Sequence, residues 1–588
     1  MKSLISQLFD KFQQAVSSAY PELLLDMGNL PIEITQSTNE KFGHYQCNTA
    51  MKLAKPIGLA PRKVAEHIIS HVDLTDRRGH PMIAHLDIAG PGFINIMIEA
   101  DYLARSLNNV LGNERLGVEK PTDPKKIIVE FSSPNTAKEL HVGHLRSTII
   151  GDCLARLFEF LGHDVLRLNH VGDWGTAFGM LIAYMKEQAP NVLKGEEHTD
   201  LTHLVGWYKA SKMLFDTDEE FKRRSRLEVV KLQGGDTDSL YAWQIICNIS
   251  REAYQEIYDL LDVKLLERGE SFYNPMLAEV VADLESKGLV TISDGAKCIF
   301  LEGFQNREGQ ELPLMIQKSD GGYNYDTTDM AAIRHRCEVE EADRIICVTD
   351  AGQATHFAMI FKAAEKAGYI NSAKNQVDHV TFGLVLGPDG KKFRTRSGET
   401  ERLIDLLTNA VEKADEILKE RSSDIDSEER LALAKALGIG AVKYADLSTH
   451  RQGDYTFSYD RMLRFDGNTA AFVMYAYVRI ASIKRKVGVD ICSLFGKEKI
   501  TLQHPSEISL ALHLIQFHET LDLVAKDLLP NRLTDYIFNL AEKFNAFFRD
   551  CRVEGSTEQN SRLLLCELVA QTLQLGLHIL GIPTVERM

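Results

Sequence analysis

The spacing of apolar residues changes character twice along the chain, and each change predicts a different architecture. Over roughly the first 112 residues, helical stretches mix with short alternating ones. Met1 to Asp10 has the spacing of an amphipathic helix. Ile83–Ile88 and Phe93–Ile98 alternate with period 2 around a Gly90-Pro91-Gly92 turn, which predicts a small α+β module over residues 1–115. The polar stretch from Gly117 to Lys126, with prolines at 121 and 124, reads as a linker. Beyond it, Lys126–Phe131 is a short apolar run typical of a buried parallel strand. A helix from about Gly143 follows, with Leu145, Ile149, Leu154, Leu157, Phe158 and Leu161 on one side. Gly162 ends that helix, and Val165–Leu168 is the next strand. A second strand–helix–strand unit runs through Arg344–Thr349, Ala354–Lys366 and Val380–Leu386. Two such halves predict a doubly wound, Rossmann-like α/β parallel sheet in a domain of residues 116–455, with ligands at the carboxyl ends of the strands. A charged, largely helical insertion is expected between the halves, at about 186–300. From about residue 427 the periodicity is helical only, as in Asn531–Cys551 and Asn560–Leu580, so residues 456–588 are expected to form an all-α bundle.

Length and composition narrow the class. The chain has 588 residues, 44 % of them hydrophobic and 26 % charged, the balance of a globular protein with roughly two to four domains. No run of eighteen apolar residues occurs, which predicts no membrane span. The N-terminus lacks the long apolar stretch and cleavage site of a secretory signal. The nine cysteines are scattered from Cys47 to Cys566 without a Cys-x-x-Cys pair. This predicts neither a structural metal site nor a disulfide framework, and it fits a reducing cytoplasm. The formal charge of −16 argues against gripping nucleic acid by bulk charge, while leaving room for local basic patches.

The candidate chemistry follows the first middle strand. The loop from Phe131 to Leu140 feeds His141-Val142-Gly143-His144 at the start of the helix. Two histidines three apart share one side of the first turn. The helix N-terminus attracts anions, imidazoles add directed hydrogen bonds, and Gly143 lets a base or ribose approach the backbone. These parts suit ATP and charge growing on its α-phosphate. In isolation, the two histidines could equally be a cap and a surface residue; the strand before and the helix after favour the site. Neither a Walker A loop nor Gly-x-Gly-x-x-Gly occurs, which disfavours kinase and dehydrogenase chemistry.

The segment from Phe131 through Ser132, Ser133, Pro134, Asn135, Thr136, Ala137 and Lys138 to the histidines and on to Gly151 resembles the signature of class I aminoacyl-tRNA synthetases, and more narrowly of the arginyl-tRNA synthetase family. Asn169–Thr176 and Leu580–Met588 match that family too, so the resemblance covers essentially the whole chain. It implies a two-step reaction: L-arginine and ATP, entering with Mg2+, give arginyl-adenylate and pyrophosphate, and tRNA then takes the arginyl group and releases AMP. It also implies that bound tRNA organises the pocket for the first step, and that the enzyme is a cytoplasmic monomer with no membrane attachment.

An arginine pocket needs carboxylates that can fork a planar cation. The sequence offers Glu130 at the end of the first strand, Glu270 in Gly269–Tyr273, and Asp329 with Tyr325 four residues before it on one helix face. Gln353 falls just after a sheet strand. By resemblance Glu130, Ser133, Asn135, Glu270, Tyr325, Asp329 and Gln353 hold arginine. Asp329 is the first choice for the guanidinium, and the division of labour among the three acids stays open. A site built this way should reject lysine or citrulline by roughly 10⁴ or more and need no editing step, so the insertion is expected to be structural or tRNA-facing. Pro134 and the backbone of Phe382-Gly383-Leu384 are implied to serve ATP, together with His141, Gly143 and His144.

The class's second signature is degenerate here. Gly390–Gly398 places Thr395 where a lysine is usual, among Lys391, Lys392, Arg394 and Arg396. Many members of the family with such a loop carry a lysine just before the histidine motif, where Lys138 stands. Which cation meets the leaving pyrophosphate stays open among Lys138, Lys392, Arg396 and their neighbours. At the two ends the resemblance implies tRNA contacts. Phe93 and Asn95 would meet the tRNA elbow. Tyr477, Arg479, Lys484 and Arg485, on a helix interleaving aromatic and basic residues, would meet the anticodon arm.

Overall fold

The computed structural model describes residues 2–23, 30–393, 400–421 and 425–588. They form two compact units. One comprises Lys120–Leu463 with Ile579–Ile582; the other comprises Met1–Glu119, Arg464–His578 and Pro583–Met588.

The first unit is built on a five-stranded parallel sheet of β1 (Lys126–Glu130), β2 (Asp164–Asn169), β3 (Leu266–Glu267), β4 (Arg344–Asp350) and β5 (Gln376–Phe382). The spatial order is β5-β4-β1-β2-β3, with every pair parallel. The chain departs from β1 in both directions, so the switch point lies between β1 and β4, where a crevice opens at the strand ends. The doubly wound sheet expected from the periodicity is present.

Helix α1 (Val142–Leu161) links β1 to β2, and 14 of its 20 residues are buried. It is buried on nearly every side because it is covered twice. The sheet packs on one side, and α5 (Leu403–Arg421) and α6 (Ser427–Ser448) pack on the other. A Cβ at Gly151 would fall 2.1 Å from Cγ of Phe131, so only glycine lets the Phe131 ring lie flat on α1 and fix the start of the loop. Gly162, at φ 99°, stops the helix in the left-handed region. Between the two halves lie α2 (Thr237–Leu260) and α3 (Tyr325–Arg334); α4 (Ala354–Lys366) joins β4 to β5.

Two sequence expectations change in detail. The run Val380–Leu386 is not one strand. β5 ends at Phe382, and β6 (Val385–Leu386) pairs instead with β7 (Tyr455–Thr456). The break is imposed by the passing 451–454 segment: Gly383 N–H donates to the Arg451 carbonyl, Leu384 N–H donates to Asp454 Oδ1, and a Cβ on Gly383 would meet the Gly453 carbonyl at 2.6 Å. The insertion is largely helical as far as Ser286, with only the short strand β3 interrupting it. Its expected end instead enters an antiparallel sheet of Thr291–Ser293, Ala296–Gln305 and Glu311–Gln317. There Pro313 sits in an edge strand, where a missing N–H is tolerated.

In the second unit, four antiparallel strands run in the order Ile34–Gln36, Tyr45–Cys47, Phe93–Ile98, Ile83–Ala89. The C-terminal part is helical, as expected, from Ala470–Val487 through Asn531–Asp550 to Gln559–Ile579. Buried Glu519 joins the two parts of this unit. It accepts hydrogen bonds from Ile5 N–H at 2.8 Å, Gln36 Nε2 at 2.8 Å and Tyr45 Oη at 2.7 Å.

Candidate functional site

A cleft of about 780 Å³ opens at the carboxyl ends of β1, β4 and β5. It is lined by Glu130, Ser133, Asn135, His141, Gly143, His144, Glu270, Tyr325, Asp329, Gln353, Phe382, Gly383, Leu384 and Lys392, all singled out from the sequence. Two other candidates do not line it. Pro134 is buried under the loop, where its carbonyl accepts from Gly172 N–H. Lys138 is exposed, with Nζ 5.9 Å from the centre of the Tyr208 ring. Arg394, Thr395 and Arg396 lie outside the described residues.

The loop from β1 to α1 has an unusual backbone. Ser132 (φ 66°), Ser133 (φ 48°) and Ala137 (φ 62°) are all left-handed, which costs a non-glycine residue roughly 1–2 kcal/mol each. Each of the three N–H groups is held by a side-chain oxygen: Ser147 Oγ at 3.0 Å, Asn169 Oδ1 at 2.9 Å and Ser250 Oγ at 3.0 Å. A hydrogen bond returns about 0.5–1.5 kcal/mol, so these bonds about offset the strain and the loop's shape depends on them. Gly172 lies under Asn135, and a Cβ there would be 2.1 Å from Asn135 Oδ1.

At the start of α1, Nδ1 of His141 accepts from Gly143 N–H at 3.0 Å, and Nδ1 of His144 accepts from His141 N–H at 3.1 Å. The ring centres are 4.2 Å apart. A ring nitrogen that accepts carries no proton, so both imidazoles are neutral with hydrogen on Nε2. Burial, and then His141, push His144 down to about 3. Burial, then Lys392 and Lys138, lower His141. The pair therefore offers Nε2–H donors, not cations. Gly143 also has a local role: a Cβ there would meet His141 Cε1 at 2.7 Å, so glycine lets the imidazole fold back over the helix end.

The acids differ in how they are partnered. Glu130 is buried and pairs with buried Arg336; burial would raise its carboxyl, but Arg336 and His170 hold it low. Asp329 Oδ2 accepts from His356 Nε2 at 2.6 Å, and His170 Nε2 lies 3.7 Å from its Oδ1. His356 also faces Asp326 at 3.3 Å. Burial would lower His356, but its bonds to Asp326 and Asp329 raise it to about 9, so it is an imidazolium at neutral pH. Glu270 has no such partner among the described residues. Burial, Asp329 and Asp173 push its carboxyl up to about 8. Tyr325 stands over His356 at 5.0 Å with its side chain open to the cleft. Among the described residues the pocket thus holds a carboxyl that lacks a cation, with a second carboxylate beside it.

The opposite wall is formed by Phe382, Gly383 and Leu384, whose Gly383 and Leu384 N–H groups are already engaged. Buried Arg146 supports it, donating to the Gly453 carbonyl at 2.8 Å and lying 5.2 Å from the Tyr455 ring. Lys392 reaches the cleft from a hairpin closed by Gly387 N–H to the Lys391 carbonyl. In the other unit, Phe93 is half-buried, and Asn95 is 9 % exposed and accepts from Gln46. Tyr477 donates to Glu586, Arg479 to Asn545, and Lys484 to Glu567, while Arg485 lies 3.9 Å from Glu586.

Sequence reasoning missed the residues that hold others in place: Arg146, Asn169, His170, Ser250, Tyr254, Tyr258, Arg336 and His356. Arg146, Asn169 and His170 stood in blocks already singled out, but with no role marked for them. The rest are brought in by helices whose pattern announces a core, not a site.

Comparison with known proteins agrees with this geometry. A family model for the class I (R) tRNA synthetase catalytic domain matches residues 106–459, one for the DALR anticodon binding domain matches 473–588, and one for the arginyl tRNA synthetase N terminal domain matches 6–98. The chain is 65 % identical over 588 residues to the arginine--tRNA ligase of Protochlamydia amoebophila (strain UWE25), and 51 % identical over 586 residues to that of Chlamydia caviae, with full coverage of both partners in each case. It is also similar to the crystal structure of arginyl-tRNA synthetase from Plasmodium falciparum, at 34 % identity and a TM-score of 0.88 over all of both chains. A parallel sheet with a histidine-capped helix at its switch point, a carboxylate pocket facing it, and full-length matches at this identity lead to one conclusion: the chain belongs to the arginyl-tRNA synthetase family of class I aminoacyl-tRNA synthetases.

Proposed function

We propose that this one cleft carries both steps of ATP-dependent arginine ligation, with the amino acid and the nucleotide held at opposite ends. The observation that carries the reading is the polarity of the cleft: two neutral Nε2–H donors and a helix N-terminus at one end, and at the other a carboxyl without a cation among the described residues, beside a second carboxylate. The guanidinium lies between Glu270 and Asp329, whose mutual repulsion it relieves, with Tyr325 alongside. Glu130, already paired with Arg336, shapes the pocket floor. Ser133, Asn135 and Gln353 orient the α-amino and carboxylate groups. Adenine packs along Phe382, Gly383 and Leu384, and Mg2+ enters as part of the ATP complex.

The arginine carboxylate then attacks the α-phosphorus, forming a carboxyl–phosphate bond as the bond to pyrophosphate breaks. His141, Gly143 and His144 hydrogen-bond the phosphate oxygens as charge grows, a kind of stabilisation worth about 10²–10³ in rate per donor. Lys392, which lines the cleft, meets the leaving pyrophosphate, with Lys138 and Arg396 the alternative cations that the sequence offers. A terminal tRNA hydroxyl then takes the arginyl group and AMP leaves. Residues 116–455 do this chemistry in our reading. Residues 1–115 meet the tRNA elbow through Phe93 and Asn95. Residues 456–588 meet the anticodon arm through Tyr477, Arg479, Lys484 and Arg485, whose present acid and amide partners RNA phosphates would replace. We assign the protein to the cytoplasm as a monomer that needs bound tRNA for the first step. The test is pyrophosphate exchange with bulk tRNA, screened over the twenty amino acids. Arginine alone is expected to respond; a response to another amino acid, or to none, overturns the reading.

A further inference from the structure

One face of α2 grips the whole loop between β1 and α1. Ser250, Tyr254 and Tyr258 are spaced four apart and are 1 %, 3 % and 4 % exposed, so they form a single buried polar stripe. Ser250 Oγ accepts the N–H of left-handed Ala137 at 3.0 Å. The Tyr254 hydroxyl lies 2.6 Å from the Asn135 carbonyl and 2.5 Å from the Lys138 carbonyl. The Tyr258 hydroxyl accepts from Asn169 Nδ2 at 3.2 Å and meets Ser132 Oγ at 2.7 Å. Between the first and last of these contacts lies all of Ser132–Lys138, including the three left-handed residues.

We propose that Tyr254 is a positioning residue for arginine. By sharing its one proton between the carbonyls of Asn135 and Lys138, it holds the turn through Thr136 and left-handed Ala137. That turn keeps the Asn135 amide over Gly172, facing the cleft. The buried Tyr254 hydroxyl requires an acceptor, and these two carbonyls supply it on the loop side. The insertion is therefore the template of the amino-acid end of the site. Ser132 and Ser133 are held separately by Ser147, Asn169 and Tyr258, and the histidine pair is held by its own helix end. Loss of the Tyr254 hydroxyl should therefore be felt by arginine and not by ATP.

The inference rests on the reading of this cleft as the arginine site, so arginine-dependent pyrophosphate exchange by the parent enzyme with tRNA is the control; its absence removes that reading and this inference with it, whereas a parent that exchanges tests this inference alone. Tyr254→Phe keeps the ring and removes only the hydroxyl. The expected result is an arginine KM raised about tenfold, with the ATP KM changed less than about twofold, since small misplacements of a positioning group are costly. Ala137→Gly added to Tyr254→Phe should recover about half of the loss on a logarithmic scale, because glycine favours the left-handed turn without help. Ser250→Ala, which removes the neighbouring grip, should shift the arginine KM in the same direction by a smaller factor and serves should Tyr254→Phe fail to fold. An arginine KM within about twofold of the parent in the folded variant overturns the proposal. So does a parallel rise in both KM values, or a loss that Ala137→Gly leaves untouched.

Discussion

Glu270 makes arginine binding a proton-release reaction, and the size of the effect follows from its surroundings. Its carboxyl is buried beside Asp329 and Asp173 and sits at about 8, so at pH 7 roughly nine molecules in ten hold it protonated. A guanidinium between Glu270 and Asp329 requires the ionised form. The sign follows: below pH 8 binding must first expel a proton, and above it the group is already ionised. The apparent Kd for arginine should fall about tenfold per pH unit below pH 8 and then level, giving roughly a fiftyfold gain from pH 6 to pH 8. His356, at about 9, keeps its charge throughout this window. Titration calorimetry of arginine into the tRNA-bound protein, in two buffers of different ionisation enthalpy, should register about 0.9 proton released per arginine at pH 7. Glu270→Gln should bind more weakly and lose the pH dependence. A Kd constant within about twofold from pH 6 to pH 8, or a Gln variant that keeps the parent's slope, refutes the reasoning.

Three further outcomes are expected. His144→Ala, which removes a neutral donor, should lower the pyrophosphate-exchange kcat by about 10²–10³. Because His144 sits at about 3, its imidazole signals by NMR should show no protonation between pH 7 and pH 5. Lys392→Ala should slow exchange more than Lys138→Ala, since Lys392 lines the cleft and Lys138 leans on Tyr208 outside it; the comparison is made in saturating arginine, and the reverse order contradicts the assignment. Glu519→Ala strips the acceptor from Ile5, Gln36 and Tyr45 and should cost about 1–3 kcal/mol in urea denaturation, the desolvation penalty of stranded donors. A change below about 0.5 kcal/mol would show that water replaces the carboxylate.

What the sequence made legible, and what it hid, divides along physical lines. β1, α1, β4 and α4 could be read directly because buried strands are short apolar runs and the linking helices follow at once. The histidine pair was legible for the same reason: its chemistry is local to one helix end. The break at Gly383 was not, because the segment that forces it comes some seventy residues later. The sheet entered through Ala296–Gln305 was hidden by weak alternation and by Pro313. Within the site, the acids were legible as residue types, but their division of labour depends on which has a partner. Arg336 lies 206 positions from Glu130, and His356 lies 27 from Asp329. Nothing in local spacing marks those pairings, and among the described residues they leave Glu270, rather than Asp329, as the carboxyl without a cation. The template helix is the extreme case: Ser250, Tyr254 and Tyr258 look like ordinary positions on an amphipathic helix until the fold brings them under Ser132–Lys138.

The central claim is that one cleft joins arginine to tRNA through an adenylate. The most direct measurement follows ATP labelled at its α-phosphate in the presence of arginine and bulk tRNA, counting labelled AMP against arginyl-tRNA. The account predicts AMP and arginyl-tRNA in equal amounts, both dependent on arginine. Label appearing in ADP, or AMP formed without arginyl-tRNA, would contradict it.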